Sequence, residues 1–243
     1  MSWFGYAPEA LARELGLPRV VAERRVASTM DLAHALAAEG APAGTLVLAE
    51  EQTSGRGRGG RSWTSRPRTG IWLTAIERPR ASDGLDVLSL RLGLHLAPVL
   101  ERWTVGPVRL KWPNDLFVGP CKLAGVLVES RWRGERPDWV AIGLGVNLTP
   151  PPDVTEAIGL PEADAVQVLA EMVPAIRAAA FASGALRADE LAAFARRDLA
   201  VGHRVSQPGR GLVRGISPTG ELLLETSAGI EPHRAGSLVF SLS

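Results

Sequence analysis

Four glycines and three arginines alternate in Gly55-Arg56-Gly57-Arg58-Gly59-Gly60-Arg61, and Trp63 stands two residues beyond. Arginine contributes a permanent charge and a planar fork that matches carboxylate and phosphate. Glycine lets main-chain N–H groups come close to a ligand. A segment built this way is suited to holding an anion. Downstream, Lys111-Trp112-Pro113-Asn114-Asp115 sets a cation, a ring, an amide and a carboxylate around a proline turn. Lys122 follows seven residues later, and Gly143-Leu144-Gly145-Val146-Asn147 carries two glycines and an amide. Cations and N–H groups of this kind stabilise negative charge.

The loop taken alone fits several patterns. Residues 55–60 satisfy GxGxxG, which requires a helix opening at the loop. Here Ser62-Trp63-Thr64-Ser65-Arg66-Pro67 follows, which is poor helix material. A phosphate loop of the GxxxxGK[ST] kind fails on the same missing helix and on Arg61 in place of lysine. An RGG-type nucleic-acid segment normally lies in a low-complexity tract, whereas this loop lies between two strand signals. A solvated surface loop would not need glycine and arginine in alternation.

The elements that position these residues follow from the patterning of 243 residues, 46% of them hydrophobic and 22% charged. A helix is expected over 8–17, too short for a DNA-binding helix-turn-helix domain. Ser28 or Thr29 caps a second helix that Gly40 ends. Strands are expected at 45–49, 71–76, 108–112, 123–129 and 139–143, the apolar ones reading as a sheet covered by helices. A helical repeat runs through Leu88, Leu92, Leu96 and Val99, and further helices over 163–182 and 187–199. Short strands between glycine and proline turns after residue 200 read as a small barrel. A boundary therefore falls at 198, giving units 1–198 and 199–243. The formal charge of +1 argues against a whole-molecule attraction to nucleic acid or to an anionic membrane. Cys121 is the only cysteine, which excludes an intramolecular disulfide and a cysteine zinc site. The N-terminus lacks the regions of a secretory signal, and the expected location is cytoplasmic.

GRGRGGRSW, KWPNDL, KLAGVLVE and GLGVN occur in this order and spacing. Together with Ser28-Thr29 and the C-terminal barrel segment they resemble the biotin–protein ligases, over residues 26 to 240. The resemblance implies an α+β fold: a mixed sheet with helices, as in the catalytic core of class II aminoacyl-tRNA synthetases, plus a C-terminal SH3-like barrel. It implies activation of biotin by ATP as biotinyl-5′-AMP, then transfer to one lysine of a biotin carboxyl carrier domain. Without an N-terminal DNA-binding domain the expected type is monofunctional, with no DNA partner and no membrane partner. Family members pair through the edge of the central sheet, so a homodimer is compatible with the resemblance. Two other readings stand beside it: a lipoate–protein ligase, and a non-enzymatic nucleic-acid-binding module using the Gly/Arg loop.

By the same resemblance, Ser28, Thr29, Met30 and Gln52 belong to the biotin site, where Ser28, Thr29 and Gln52 hydrogen-bond the ureido head. Gly55 and Gly125 permit close approach, with apolar walls from the 123–128 strand. Arg56 and Arg58, with the Gly57 and Gly59 backbone, offset the two anions, and Lys122 bridges the biotin carboxylate and the α-phosphate. Trp63 stacks on adenine, Asn147 lies near the base, and Arg61 and Lys111 belong to the nucleotide site. Asn114 and Asp115 lie near the nucleotide and Mg²⁺, Asp115 also orienting or deprotonating the incoming lysine. The loop is expected to be a lid that shields the adenylate from water. Gly59, where family loops often carry another arginine, and Cys121, where a basic or polar residue is common, depart from the pattern.

Overall fold

The structure is a computed structural model, and it describes residues 2–241. A seven-stranded mixed sheet runs in the order β1-β2-β3-β7-β6-β5-β4. Its strands are β1 (Arg19–Val26), β2 (Thr45–Gln52), β3 (Gly70–Glu77), β4 (Val108–Lys111), β5 (Asp115–Val118), β6 (Cys121–Arg133) and β7 (Arg136–Asn147). Only β1 and β2 are parallel; all the other neighbours are antiparallel. The helices are α1 (Pro8–Glu14), α2 (Thr29–Ala38), α3 (Leu88–Glu101), α4 (Ala165–Phe181) and α5 (Ala188–Arg197).

Alternation along each strand sends successive side chains to opposite faces. On one face Leu46, Leu48, Leu73, Ile142, Leu144 and Val146 join α3 and α4 in the main core. On the other, Val47 and Ile76 meet Ala33 and Ala37 of α2 in a smaller cluster. The ten residues of α2 extend about 15 Å, against roughly 29 Å across seven strands. The helix leaves part of its face uncovered, and the Gly/Arg loop lies across that part. There the strands carry Gly125, Gly143 and Gly145, with Gly125 and Gly145 directly opposite in the β6/β7 pairing.

A second antiparallel sheet, in the order β11-β10-β9-β8-β12, comprises β8 (Arg204–Gln207), β9 (Gly211–Ile216), β10 (Leu222–Thr226), β11 (Gly229–His233) and β12 (Val239–Phe240). It is fastened to the first unit at identifiable points. Trp112 Nε1 donates to Gly220 O at 2.9 Å, and Leu186 N to Pro218 O at 2.8 Å. The architecture is the expected α+β one. The β6/β7 hairpin is longer than the apolar runs indicated, and β1, β5 and β11 are strands that patterning did not announce. Among the described residues no helix is long and apolar enough to cross a membrane.

Candidate active site

The glycine-bearing face and the loop enclose a small cavity, of about 30 Å³, lined by residues that include Ser28, Thr29, Met30, Gln52, Arg56, Trp63 and Gly125. Sites for drug-sized ligands run to about 300 Å³ or more, so the protein's own side chains largely fill this one. Two of them do so by lying on glycine. A Cβ at Gly145 would stand 2.6 Å from the Trp63 ring, one at Gly125 2.9 Å from it, and one at Gly143 2.7 Å from Met30 Cε. Only glycine lets the indole rest on the strand backbone. Trp63 Nε1 is buried and has no acceptor among the described residues.

One end of the cavity is polar. Ser28 Oγ caps α2 by accepting from Met30 N at 3.2 Å, as its position before an alanine-rich helix requires. Gln52 Oε1 accepts from Thr29 N at 2.8 Å and from Thr29 Oγ1 at 3.1 Å. Gln52 Nε2 donates to Ser65 Oγ at 2.8 Å, and Thr74 Oγ1 donates to Thr29 Oγ1 at 2.9 Å. Thr74 and Ser65 complete this string although neither stood out in the sequence. Thr74 is the one polar residue of the expected 71–76 strand, the only signal it offered.

The loop is a miniature hairpin. Gly57 N donates to Arg61 O at 2.7 Å and Trp63 N to Gly55 O at 2.8 Å. Gly59 and Gly60 take φ of +64° and +75°, a conformation glycine adopts at no steric cost. That accounts for glycine rather than a further arginine at 59. Arg56 leaves the hairpin to meet Asp31 Oδ1 and Glu129 Oε1, each at 2.6 Å. Arg58 and Arg61 form no ion pair among the described residues. Burial, and after it the neighbouring Arg61, pushes the Arg58 pKa down from its ordinary value.

Outside the cavity lining, against the Trp63 ring, Lys122 Nζ donates to Asp115 Oδ1 at 2.7 Å and lies 4.9 Å from the centre of that ring, within cation–π range. Asn114 pins the proline turn to β6: its Nδ2 donates to Val126 O at 2.6 Å and its O accepts from Val126 N at 2.9 Å. Asn147 is buried at the end of β7, where its Nδ2 donates to Lys122 O at 3.3 Å and to Ile158 O at 3.2 Å. Its amide holds backbone. Lys111 Nζ lies between the rings of Phe117 and Phe240, 5.4 and 5.6 Å from their centres, and burial pushes its pKa down. Of the expected apolar walls from 123–128, the cavity receives Gly125, and Leu127 from the same face; Leu123, Ala124 and Val126 belong to the main core. Among the described residues no group of three or more His, Cys, Asp or Glu is placed to hold a metal ion.

The Biotin/lipoate A/B protein ligase family matches residues 22–147. The biotin–[acetyl-CoA-carboxylase] ligase of Mycobacterium tuberculosis is 30% identical over 219 residues, 81% of this chain and 79% of that protein. The bifunctional ligase/repressor BirA of Escherichia coli is 32% identical over 80% of this chain and 66% of its own length. The chain spans under half the length of two Bacillus relatives, 43% and 45% of theirs. Among solved structures, a biotin protein ligase from Aquifex aeolicus in complex with biotin and ATP superposes with a TM-score of 0.77. It is 27% identical, over 93% of this chain and 100% of that one. The Leishmania major enzyme in complex with biotinyl-5-AMP gives 0.63 at 25% identity, over 88% and 98%. The chain belongs to the biotin/lipoate A/B protein ligase family.

Proposed function

We propose that the protein is an ATP-dependent biotin–protein ligase that forms biotinyl-5′-AMP and transfers the biotinyl group to a lysine of a biotin carboxyl carrier domain. The observation that carries this reading is the glycine floor under Trp63: Gly125 and Gly145 opposite one another, a polar string at one end of the cavity and Lys122 against the Trp63 ring. A bicyclic urea fits the polar end, where Ser28, Thr29 and Gln52 supply both donors and acceptors. Its carboxylate then points to Lys122, whose ammonium would stabilise the charge developing between carboxylate and α-phosphate. Arg58 and Arg61 carry charge not already committed to protein carboxylates, and they suit the phosphates. Trp63 offers its ring to adenine once it leaves the glycine floor, and Lys111, Asn114 and Asn147 shape the nucleotide end. Asp115, released from Lys122, is placed to orient the incoming lysine.

Mg²⁺ would arrive on the ATP phosphates, with Asp115 the one carboxylate beside Lys122; a phosphate-borne ion needs no protein cage. The division into units 1–198 and 199–243 belongs to this reading, supported by the separate sheet that the described strands after residue 200 form with one another. A homodimer through the sheet edge and a cytoplasmic location belong to the same reading, with neither DNA nor membrane as partner. The relatives that bear biotin in their names favour biotin over lipoate. Incubation with ATP, biotin and a carrier domain, followed by mass spectrometry, tests it. One biotinyl mass added per carrier is expected. A gain only with lipoate, or none, overturns it.

A further inference from the structure

Arg56 is the loop's ion-paired link to the rest of the molecule, and the groups that hold it form one continuous string. Its guanidinium donates to Asp31 of α2 and to Glu129 of β6, each at 2.6 Å. The other Glu129 oxygen faces His34 Nε2 at 3.0 Å. His34 Nδ1 in turn lies 2.9 Å from Trp139 Nε1. The loop, α2, β6 and β7 thus meet through five side chains, although His34 and Glu129 are 95 residues apart.

Hydrogen-bond chemistry fixes the direction of this string. Indole N–H can only donate, so His34 Nδ1 accepts and the ring's one proton sits on Nε2, donating to Glu129. The neutral imidazole satisfies both neighbours. A protonated ring would turn a second N–H toward the Trp139 N–H and become a second cation competing with Arg56 for Glu129. The charged groups around His34 are Glu129 and Arg131 on β6, Arg56 on the loop and Asp31 on α2; Arg78 lies beyond, 5.9 Å from the Trp139 ring centre. Burial already disfavours the charged ring and lowers its pKa.

We propose that Glu129 and His34 are positioning residues that latch the Gly/Arg loop shut through Arg56, and that the latch holds while His34 is neutral and opens when it is protonated. This rests on the reading of the loop as the lid of the active site, and not on which acid the enzyme activates. Substrate contact is left to Arg58 and Lys122. The latch sets how long the lid stays down.

The test is hydrogen–deuterium exchange of residues 55–63 in the ligand-free full chain at pH 7.5 and 5.0, corrected for intrinsic exchange, with the 45–49 strand as internal control. Wild-type protection of the loop is expected to fall at least fivefold at the lower pH. Glu129→Gln, which cannot accept from both neighbours, should have lost it at pH 7.5. His34→Gln offers one N–H donor and one acceptor without titrating, and should keep it at both values. Trp139→Phe removes the opposing N–H, so a protonated His34 keeps Nε2 on Glu129 and the acid loss should shrink. Loop protection in Glu129→Gln equal to wild type, or the same acid loss in His34→Gln and Trp139→Phe as in wild type, overturns the latch. Because no ligand is present, failure to biotinylate a carrier would leave this result standing, and a loop indifferent to Glu129 would leave the ligase reading standing.

Discussion

Gly145→Ala places one methyl group on the cavity floor. The added Cβ would stand 2.6 Å from Trp63 Cε2 and 2.7 Å from Nε1, where ordinary contact needs about 3.5–4 Å. A flat group seated on that floor must therefore rise by roughly 1 Å, and a displacement of that size at a reacting centre costs about 100-fold in rate, or about 2.7 kcal/mol. The partner glycine gives no relief, because Gly125 lies directly opposite and its own Cβ position is 2.9 Å from the same ring. The strand itself tolerates alanine, so the variant should fold with an unchanged thermal midpoint. The assay is kcat/KM for biotin in carrier labelling, with calorimetric binding of biotin beside it. An expected loss of about 100-fold in a folded protein places the ligand on the floor. A folded Gly145→Ala within threefold of wild type would refute that placement.

Three further outcomes follow from the same geometry. Lys122→Met removes the cation held 2.7 Å from Asp115, and biotin-dependent ATP–pyrophosphate exchange should drop about 100- to 1000-fold, as for other preorganised charge stabilisers. Arg91→Met leaves Glu190 without the fully buried guanidinium 2.7 Å away, and strips donors from Ala182 O, Gly184 O and Ala185 O. Breaking such a buried pair costs about 3–5 kcal/mol, so denaturant unfolding should shift by that amount. Glu77 is 5% exposed, its Oε1 has no hydrogen-bond partner among the described residues though Arg177 Nε stands 3.8 Å away, and burial, outweighing Arg177, raises its pKa. A raised carboxyl pKa means that the native state holds the proton more tightly, so stability is present below the ordinary glutamate range and lost as pH rises through the raised value. Glu77→Gln should match wild type near pH 3.5 and exceed it by about 1 kcal/mol near pH 8, the order of one buried unsatisfied group.

The legible parts of this molecule were those with local causes. Ser28 before an alanine-rich run is a cap by composition, and the structure has it accepting from Met30 N. Gly/Arg alternation marked the loop, and the proline turn marked the end of β4. What escaped reading depends on contacts far apart in sequence. Arg91 lies three residues after Leu88 and so shares the buried side of α3, a position that reads as solvated until Glu190, 99 residues away, comes to meet it. β1 carries four charged residues in eight and buries only Val20 and Ala22; its place at the sheet edge explains the mixed pattern. Met30 was expected at the site on resemblance, but its contact with Gly143 exists only because β7 lies under α2. Trp63 was expected to meet a nucleotide, whereas here its ring lies on the glycines, a use of those glycines that no spacing could announce.

The site cations explain why a chain with a formal charge of only +1 can gather two anions. Arg56 is held by Asp31 and Glu129, and Lys122 by Asp115, so the charges closest to the cavity are balanced before any ligand arrives. Each such pair is worth up to about 4 kcal/mol of gross attraction at 4 Å in a partly screened environment, and an anion entering must replace it. On the proposed function, a carboxylate at Lys122 replaces one protein pair, while Arg58 and Arg61, which form no ion pair among the described residues, are left for the phosphates. A nucleotide alone meets those arginines while Trp63 still covers the floor. On that reading, the two anions together exchange the stored protein pairs for new ones and give the indole a partner for its unpaired N–H or its ring face. On the proposed function, assembly of the closed site then depends on both reactants, an arrangement that protects a hydrolysable acyl-adenylate better than strong attraction for either anion alone.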